Sequence, residues 1–212
     1  SAWNWRCLGA SLGERRWERR GENARMMTTI AALMAPLAFM QAGATTTAER
    51  NMVRFNQCVE LIEEDAPRAY EEAMAWAADT QSVNAYRCAA MALIGQDRHG
   101  EGARRLDSLA FAVNPAETAT RADLLSQAGN AWLLAREPAR ARSSFTRAIS
   151  TMESDPTQLP DLLIDRARAY ALEGDWRASE EDLSTALDLR ANDPLALRLR
   201  ARSTQSSSDY PS

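Results

Sequence analysis

The most constraining feature of this 212-residue sequence is residues 121–153, where two helical patterns flank a short break at Arg136-Glu137-Pro138. Small residues recur where the two helices would touch, and large residues lie beside them. The small residues are Ala128, Gly129, Ala141 and Ala148, and the large ones are Leu125, Trp132 and Phe145. This order predicts two helices that pack closely against each other through small side chains.

The same pattern recurs on both sides of this stretch. A shift of 39 residues places Ala90 on Gly129, Leu93 on Trp132, Gly102 on Ala141 and Leu106 on Phe145, with Leu109 in place of Ala148. A shift of 38 residues the other way aligns Leu163, Ala167, Tyr170, Leu183 and Ala186 with Leu125, Gly129, Trp132, Phe145 and Ala148, and puts Ser179 in place of Ala141. The chain therefore contains an internal repeat.

The repeated residues resemble the tetratricopeptide repeat (TPR), a helix-turn-helix unit, in a form typical of exported bacterial proteins. The resemblance implies an all-α fold, a right-handed α-solenoid of stacked helix pairs. One pair cannot bury its apolar face alone, so neighbouring pairs bury it for each other. The family binds other proteins, and the resemblance therefore implies a protein or peptide partner and a scaffolding or interaction role.

The flanking segments extend this repeat domain over residues 45–202. Between Glu49 and Glu64, four apolar residues (Met52, Phe55, Val59 and Ile62) fall on one helical face. Asp65-Ala66-Pro67 predicts the end of this helix and the start of a new one from Arg68 to Ala78. The two helices would form a divergent first pair. A final helix after Asn192-Asp193-Pro194, with Leu195, Leu197 and Leu199, is expected to cover the open end. The Ser-rich residues 203–212 predict a disordered tail.

Residues 1–44 predict an upstream segment followed by a secretory signal peptide. Its apolar core runs from Ile30 to Met40, follows positive charge, and ends in the small-x-small sequence Ala42-Gly43-Ala44. The core is short and contains Pro36, which argues against a membrane-spanning helix. Once the signal peptide is cleaved, no stable membrane insertion is expected. These features predict a periplasmic protein. The alternative is a cytoplasmic TPR adaptor in which this run is an ordinary helix.

Charge and residue spacing argue against several other functions. All 25 basic residues are arginines, they are interleaved with 29 acids, and the net charge of −4 argues against nucleic-acid binding. His99 is the single histidine and falls in a predicted turn at residues 96–100. No metal-ligand spacing, Gly-rich phosphate loop or nucleophile motif appears, so we predict neither a metal nor another cofactor and no enzymatic activity. An accessory cell-wall hydrolase that works through paired carboxylates is the alternative.

Two cysteines remain after the predicted signal peptide, Cys58 and Cys88, whereas Cys7 lies in the upstream segment. An even pair in an oxidising compartment favours a disulfide. It would close a loop of 30 residues, with a stabilisation of about 3 kcal/mol. The alternative is two buried thiols that pack as small apolar groups.

The resemblance also implies which side chains line the groove formed by the first helices of the pairs. These are Arg87, Met91, Ser126, Gln127, Asn130, Leu133, Ile164, Asp165, Arg168 and Ala171. Arg87 and Asn130 resemble parts of the clamp by which some family members hold a chain terminus. The basic residues that complete the clamp are missing, so no clamp is predicted. The mixed groove suggests an extended peptide or a helix as the partner; otherwise these residues simply solvate the surface.

Overall fold

The computed structural model describes residues 46–151 and 156–209, and all secondary structure in these residues is helical. The α-helices are α1 (Thr47–Thr80), α2 (Val83–Gly95), α3 (His99–Ala112), α4 (Thr118–Leu134), α5 (Pro138–Thr151), α6 (Leu159–Glu173), α7 (Trp176–Leu189) and α8 (Pro194–Asp209). A 3-10 turn at Pro156–Gln158 precedes α6. The predicted all-α fold is confirmed.

Helix α1 is divided at Asp65, where the backbone leaves the helical region with φ −151° and ψ 81°. The Asp65 carboxylate accepts the backbone N–H of Arg68 at 3.1 Å, as an N-cap does, and Pro67 fits the first turn that follows. The Arg54 guanidinium lies 5.1 Å from the centre of the Trp76 ring. A straight helix would separate these residues by about 33 Å, so the two halves fold back on each other as a pair.

Each helix packs against the next one from α1 to α8, and α6 also contacts both α4 and α8. The pairs α2–α3, α4–α5 and α6–α7 are the three units that the 38- and 39-residue shifts identify. Small residues set the helix spacing within a unit. A Cβ on Gly129 of α4 would lie 2.5 Å from the fully buried ring of Phe145 on α5. Only glycine lets these helices approach so closely.

The turns inside the three units share one backbone feature. Asp97, Arg136 and Gly174 all adopt positive φ, at 61°, 59° and 83°. They occupy equivalent places under the 38- and 39-residue shifts. Left-handed geometry at this position ends a helix and directs the chain into the next one. In the third unit the residue is glycine, and the following Asp175 caps α7 by accepting the N–H of Ala178 at 3.0 Å.

Helix α8 continues to Asp209, so the prediction of disorder from residue 203 is wrong for residues 203–209. Ser203 is only 2% exposed, and its hydroxyl lies 3.0 Å from that of Ser179 on α7. Ser207 and Ser208 donate to the carbonyls four residues earlier. The small hydroxyl side chains thus serve helix packing, a role that composition alone does not reveal. Leu195 and Leu197 are exposed, whereas the intervening Ala196 is buried.

Asp193 holds the start of α8. Its carboxylate accepts the backbone N–H groups of Leu195 at 2.9 Å and Ala196 at 3.0 Å, and the Arg190 guanidinium donates to it at 3.1 Å. The Ala196 N–H above all, together with Arg190 and the Leu195 N–H, lowers the pKa of Asp193 below its ordinary 3.8. The ionised carboxylate therefore stabilises the fold.

We expect Asp193→Ala to lower the free energy of unfolding near pH 7 by about 1 kcal/mol, because the helix loses its N-cap. A depressed pKa stabilises the fold above the ordinary pKa of 3.8, and this contribution is lost as the pH falls through the folded-state value. Urea unfolding of wild type and variant should therefore converge in acid. The exposed Asp188→Ala is the control, and a difference that is constant with pH would contradict the role of the carboxylate.

Residues 1–45 lie outside the described residues, so the signal peptide and the start of the mature chain stay predictions. Within residues 46–151 and 156–209, no helix has the length and apolar character needed to cross a membrane.

Candidate protein-interaction face

The first helices of the three units, α2, α4 and α6, are joined by polar side chains along one side of the solenoid. We call this side the inner face. Between α2 and α4, the Nε of Arg87 donates to the Oε1 of Gln127 at 2.9 Å. Both are predicted groove residues, 40 positions apart in the chain.

Between α4 and α6, three further predicted groove residues form a closed hydrogen-bond network. Asn130 donates to Asp165 Oδ2 at 3.0 Å, and Arg168 donates to Asp165 Oδ1 at 2.7 Å and to Asn130 Oδ1 at 3.3 Å. The charges of Asp165 and Arg168 therefore neutralise each other. All three side chains are half-buried, which leaves their outer edges open to a partner.

Helix α1 joins the inner face through Cys58 and Phe55. Cys58 and Cys88, the latter on α2, lie at disulfide distance, with their Cα atoms 6.3 Å apart. One turn away, the Arg87 guanidinium lies 5.0 Å from the centre of the Phe55 ring. The cysteine pair and the stacked arginine therefore lie side by side on α1 and α2.

Two predicted groove residues do not lie free in the groove. Met91 is 7% exposed and Ile164 is 3% exposed, so both belong to the core, and their assignment to a binding surface was wrong. Their long apolar side chains turn towards neighbouring helices, because burial stabilises such side chains by about 1.5–3 kcal/mol each. Leu133 is half-buried and packs against the main core cluster at its edge.

The structure adds Asp123 to the inner face, a residue that the groove prediction left out. It lies four residues before Gln127 on α4, so the two share one helix face. Burial raises the pKa of the Asp123 carboxyl, which the nearby Arg87 charge and the Gln158 side chain partly oppose. Burial also lowers the pKa of Arg87, which Asp123 partly opposes. The four-residue spacing from Gln127 was the available sequence signal.

The structure buries nearly all the residues that the repeat pattern assigns to packing. The buried set is Ala90, Leu93, Gly129, Trp132, Ala141, Phe145, Ala148, Ala167, Leu183 and Ala186. Tyr170 is half-buried instead. The guanidinium groups of Arg142 and Arg166 lie 5.6 Å and 5.9 Å from the centre of its ring. It packs against charged groups at the surface of the α5–α6 contact.

Two aspartates, Asp107 and Asp182, hold neighbouring helices together. Asp107 on α3 accepts Trp132 Nε1 at 2.7 Å and Ser144 Oγ at 2.9 Å, and so ties one unit to the next. Asp182 is buried and receives two hydrogen bonds from Arg166, at 2.7 Å and 2.8 Å. No group of three or more His, Cys, Asp or Glu in residues 46–151 and 156–209 is placed to hold a metal ion. His99 begins α3.

Comparisons with known proteins agree with this architecture at the level of the fold. No protein-family model matches the sequence, and no curated protein matches it. Two crystal structures of a candidate kinesin light chain of Podosopora anserina, with nearly identical TPR-like repeats, superimpose with a TM-score of 0.62. Both are 14% identical to this chain, cover 76% of it, and are themselves covered to 87% and 88%.

A third solved structure is the C-terminal part of a TPR repeat-containing protein from Cytophaga hutchinsonii, at 15% identity and a TM-score of 0.34. It covers 73% of this chain and is itself covered to 72%. The comparison of folds therefore rests on the two Podosopora structures. The chain is an α-solenoid of TPR-like helix pairs, a fold consistent with protein–protein interaction.

Proposed function

We propose that this chain is a non-enzymatic, exported protein that holds a segment of another protein on its inner face, in the periplasm. The observation that carries this proposal is the row of half-buried polar side chains shared by α2, α4 and α6. Arg87, Gln127, Asn130, Asp165 and Arg168 meet across helix boundaries, at hydrogen-bond distances of 2.9–3.3 Å. A surface prepared in this way offers hydrogen bonds to a chain that crosses all three helices.

Two features support an exported location. One is the sequence pattern from Ile30 to Ala44, with its small-x-small end. The other is the placement of Cys58 and Cys88 at disulfide distance, because a bond between them would persist in an oxidising compartment such as the periplasm.

The environments of the carboxylates support a binding role over hydrolysis. Asp107, Asp161 and Asp182 are each held in ion pairs with arginines, at 3.5 Å, 2.8 Å and 2.7 Å. An acid–base pair for sugar hydrolysis needs two carboxyl groups that face one bond. These three carboxylates instead link helices to one another.

We expect a photo-crosslinking residue at Ser126, on the inner face, to capture a partner in living cells. The same residue at Ser143, exposed on α5, is the matched control. The full-length chain should give a discrete heavier species from position 126 alone, and mass spectrometry should identify it as another protein. Equal capture from both positions, or capture from position 143 alone, would contradict an inner-face site.

N-terminal sequencing of the native protein tests the location. Export predicts a mature chain that begins after Ala44. A native chain that retains Ile30–Met40 would instead support the cytoplasmic adaptor.

A further inference from the structure

The contact between Arg87 on α2 and Asp123 on α4 is open, unlike the network around Asp165. Arg87 uses its Nε for Gln127, and its planar group rests on Phe55. Within the described residues, its two Nη groups form no hydrogen bond, and the side chain forms no ion pair within 4.0 Å. Four N–H donors of a half-buried guanidinium therefore remain available.

Asp123 supplies the matching acceptors. Gln127, which holds Arg87, lies one helical turn further along the same face of α4. The carboxylate and the guanidinium are thus close enough to interact electrostatically, yet no direct ion pair within 4.0 Å joins them in the described part of the chain. A carboxylate accepts about four hydrogen bonds, so the nearby Gln158 side chain leaves acceptor capacity unused.

The two groups are also incompletely solvated. Burial raises the pKa of Asp123 and lowers the pKa of Arg87, which means that each charged form lacks part of its water. A half-buried charged group whose hydrogen-bonding capacity is only partly used carries a desolvation cost. A ligand that hydrogen-bonds to both would relieve this cost, whereas the Asp165–Arg168 pair is already in direct contact at 2.7 Å.

The opposite charges of Arg87 and Asp123 determine which chemical group of a ligand fits between them. A carboxylate on the ligand would approach Arg87 but be repelled by Asp123, and an ammonium group would meet the opposite conflict. A carboxamide carries no charge and offers both a C=O acceptor and an N–H donor. It can accept from the guanidinium and donate to the carboxylate at the same time.

We propose that Arg87 and Asp123 together bind a carboxamide of the partner, either a main-chain peptide group or an Asn or Gln side chain. This inference rests on the proposed function, since it places the principal polar contact of the inner face at the α2–α4 boundary. The Asn130–Asp165–Arg168 network then contributes to the shape of the inner face but does not select for a charged group on the partner.

The test uses short linear peptides displayed on phage and selected on the oxidised full-length protein. Enriched peptides are synthesised with acetylated and amidated ends, so that no terminal charge contributes. Calorimetry then compares wild type with Arg87→Met and Asp123→Ala, with the exposed Arg104→Met and Asp188→Ala as charge-matched controls. Loss of a hydrogen bond to a charged group should weaken binding about tenfold in each inner-face variant, and the controls should bind like wild type.

A charge swap in the peptide gives a readout that a folding defect cannot imitate. Replacing the recognised Gln or Asn with Glu or Asp should weaken binding to wild type. The same peptide should bind Asp123→Ala at least as well as its amide parent, because the repelling carboxylate is gone. If a main-chain group is recognised instead, methylation of one peptide nitrogen should abolish binding to wild type and no side-chain swap should matter.

The failures are distinguishable. Peptides that bind but are insensitive to both Arg87→Met and Asp123→Ala, while Asn130→Ala or Leu133→Ala weakens them, would overturn the carboxamide site and leave the proposed function standing. A selection that enriches no binder would count against the proposed function, and against this site with it. If Arg87→Met does not fold, Arg87→Lys retains the charge without the planar fork and should still lose the amide preference.

Discussion

Phe145→Ala is expected to lower the free energy of unfolding by about 3–5 kcal/mol, the largest loss predicted for any single substitution in this chain. The Phe145 ring is fully buried in the main core cluster, and it fills the gap over Gly129. Its removal leaves a cavity between α4 and α5 that neighbouring helices cannot close. Urea unfolding followed by circular dichroism measures the loss.

Phe111→Ala is the matched control, because this phenylalanine is 81% exposed at the end of α3. Its effect should stay within about 0.5 kcal/mol. A double-mutant cycle sharpens the test. Gly129→Ala should destabilise wild type by about 1–3 kcal/mol through overpacking, and by much less when Phe145 is already leucine. Equal costs in both backgrounds would show that the ring and Gly129 do not touch.

Loss of the Cys58–Cys88 disulfide is expected to lower the free energy of unfolding by about 3–4 kcal/mol. The bond closes a 30-residue loop and ties α1 to α2, and Cys88 is fully buried. Reductant should therefore shift the urea midpoint of wild type. Reductant should not change the urea midpoint of the Cys58→Ala/Cys88→Ala variant, because this variant already has the lower stability of the reduced protein.

Tryptic mapping checks the pairing directly. Cleavage after Arg54, Arg68, Arg87 and Arg98 releases residues 55–68 and 88–98, and these peptides should stay joined until reduced. Separate peptides in the native protein, with unchanged stability in reductant, would contradict the covalent link.

The repeat pattern could be predicted from sequence because it depends on side-chain size alone. Small residues such as Gly129, Ala141 and Ala148 alternate with large ones such as Trp132 and Phe145 where two helices approach closely. Because this pattern of sizes is repeated along the chain, a shift of 38 or 39 residues identifies the units. The break at Asp65-Ala66-Pro67 was also readable, since proline suits a new first turn.

The inner face was less predictable. The resemblance assigns a residue to a helix face, but it does not show whether the side chain points into the groove or turns towards the core. Met91 and Ile164 lie at groove positions by analogy, yet their apolar side chains reach the core. Asp123 was missed because its role depends on Arg87, a residue 36 positions earlier that lies near it only because α2 and α4 run along the same face of the fold.

The final helix shows a further limit of composition. A run of serines predicts a solvated tail when each residue is taken alone. In α8, however, Ser203 is small enough to be buried against Ser179, and the later hydroxyls bond back to their own helix. Helix packing decided the outcome.

A continuous inner face requires Asn130 on α4 and Asp165 on α6 to lie next to each other, and chemical cross-linking of these two positions measures whether they do. Asn130→Cys/Asp165→Cys in a Cys7→Ser background should be joined by a short bismaleimide in the folded chain, because these side chains lie 3.0 Å apart. Ser143→Cys/Asp165→Cys is the control and should stay unjoined. Efficient joining of the first pair alone is the predicted result. No joining of residues 130 and 165, or equal joining of both pairs, would contradict the account.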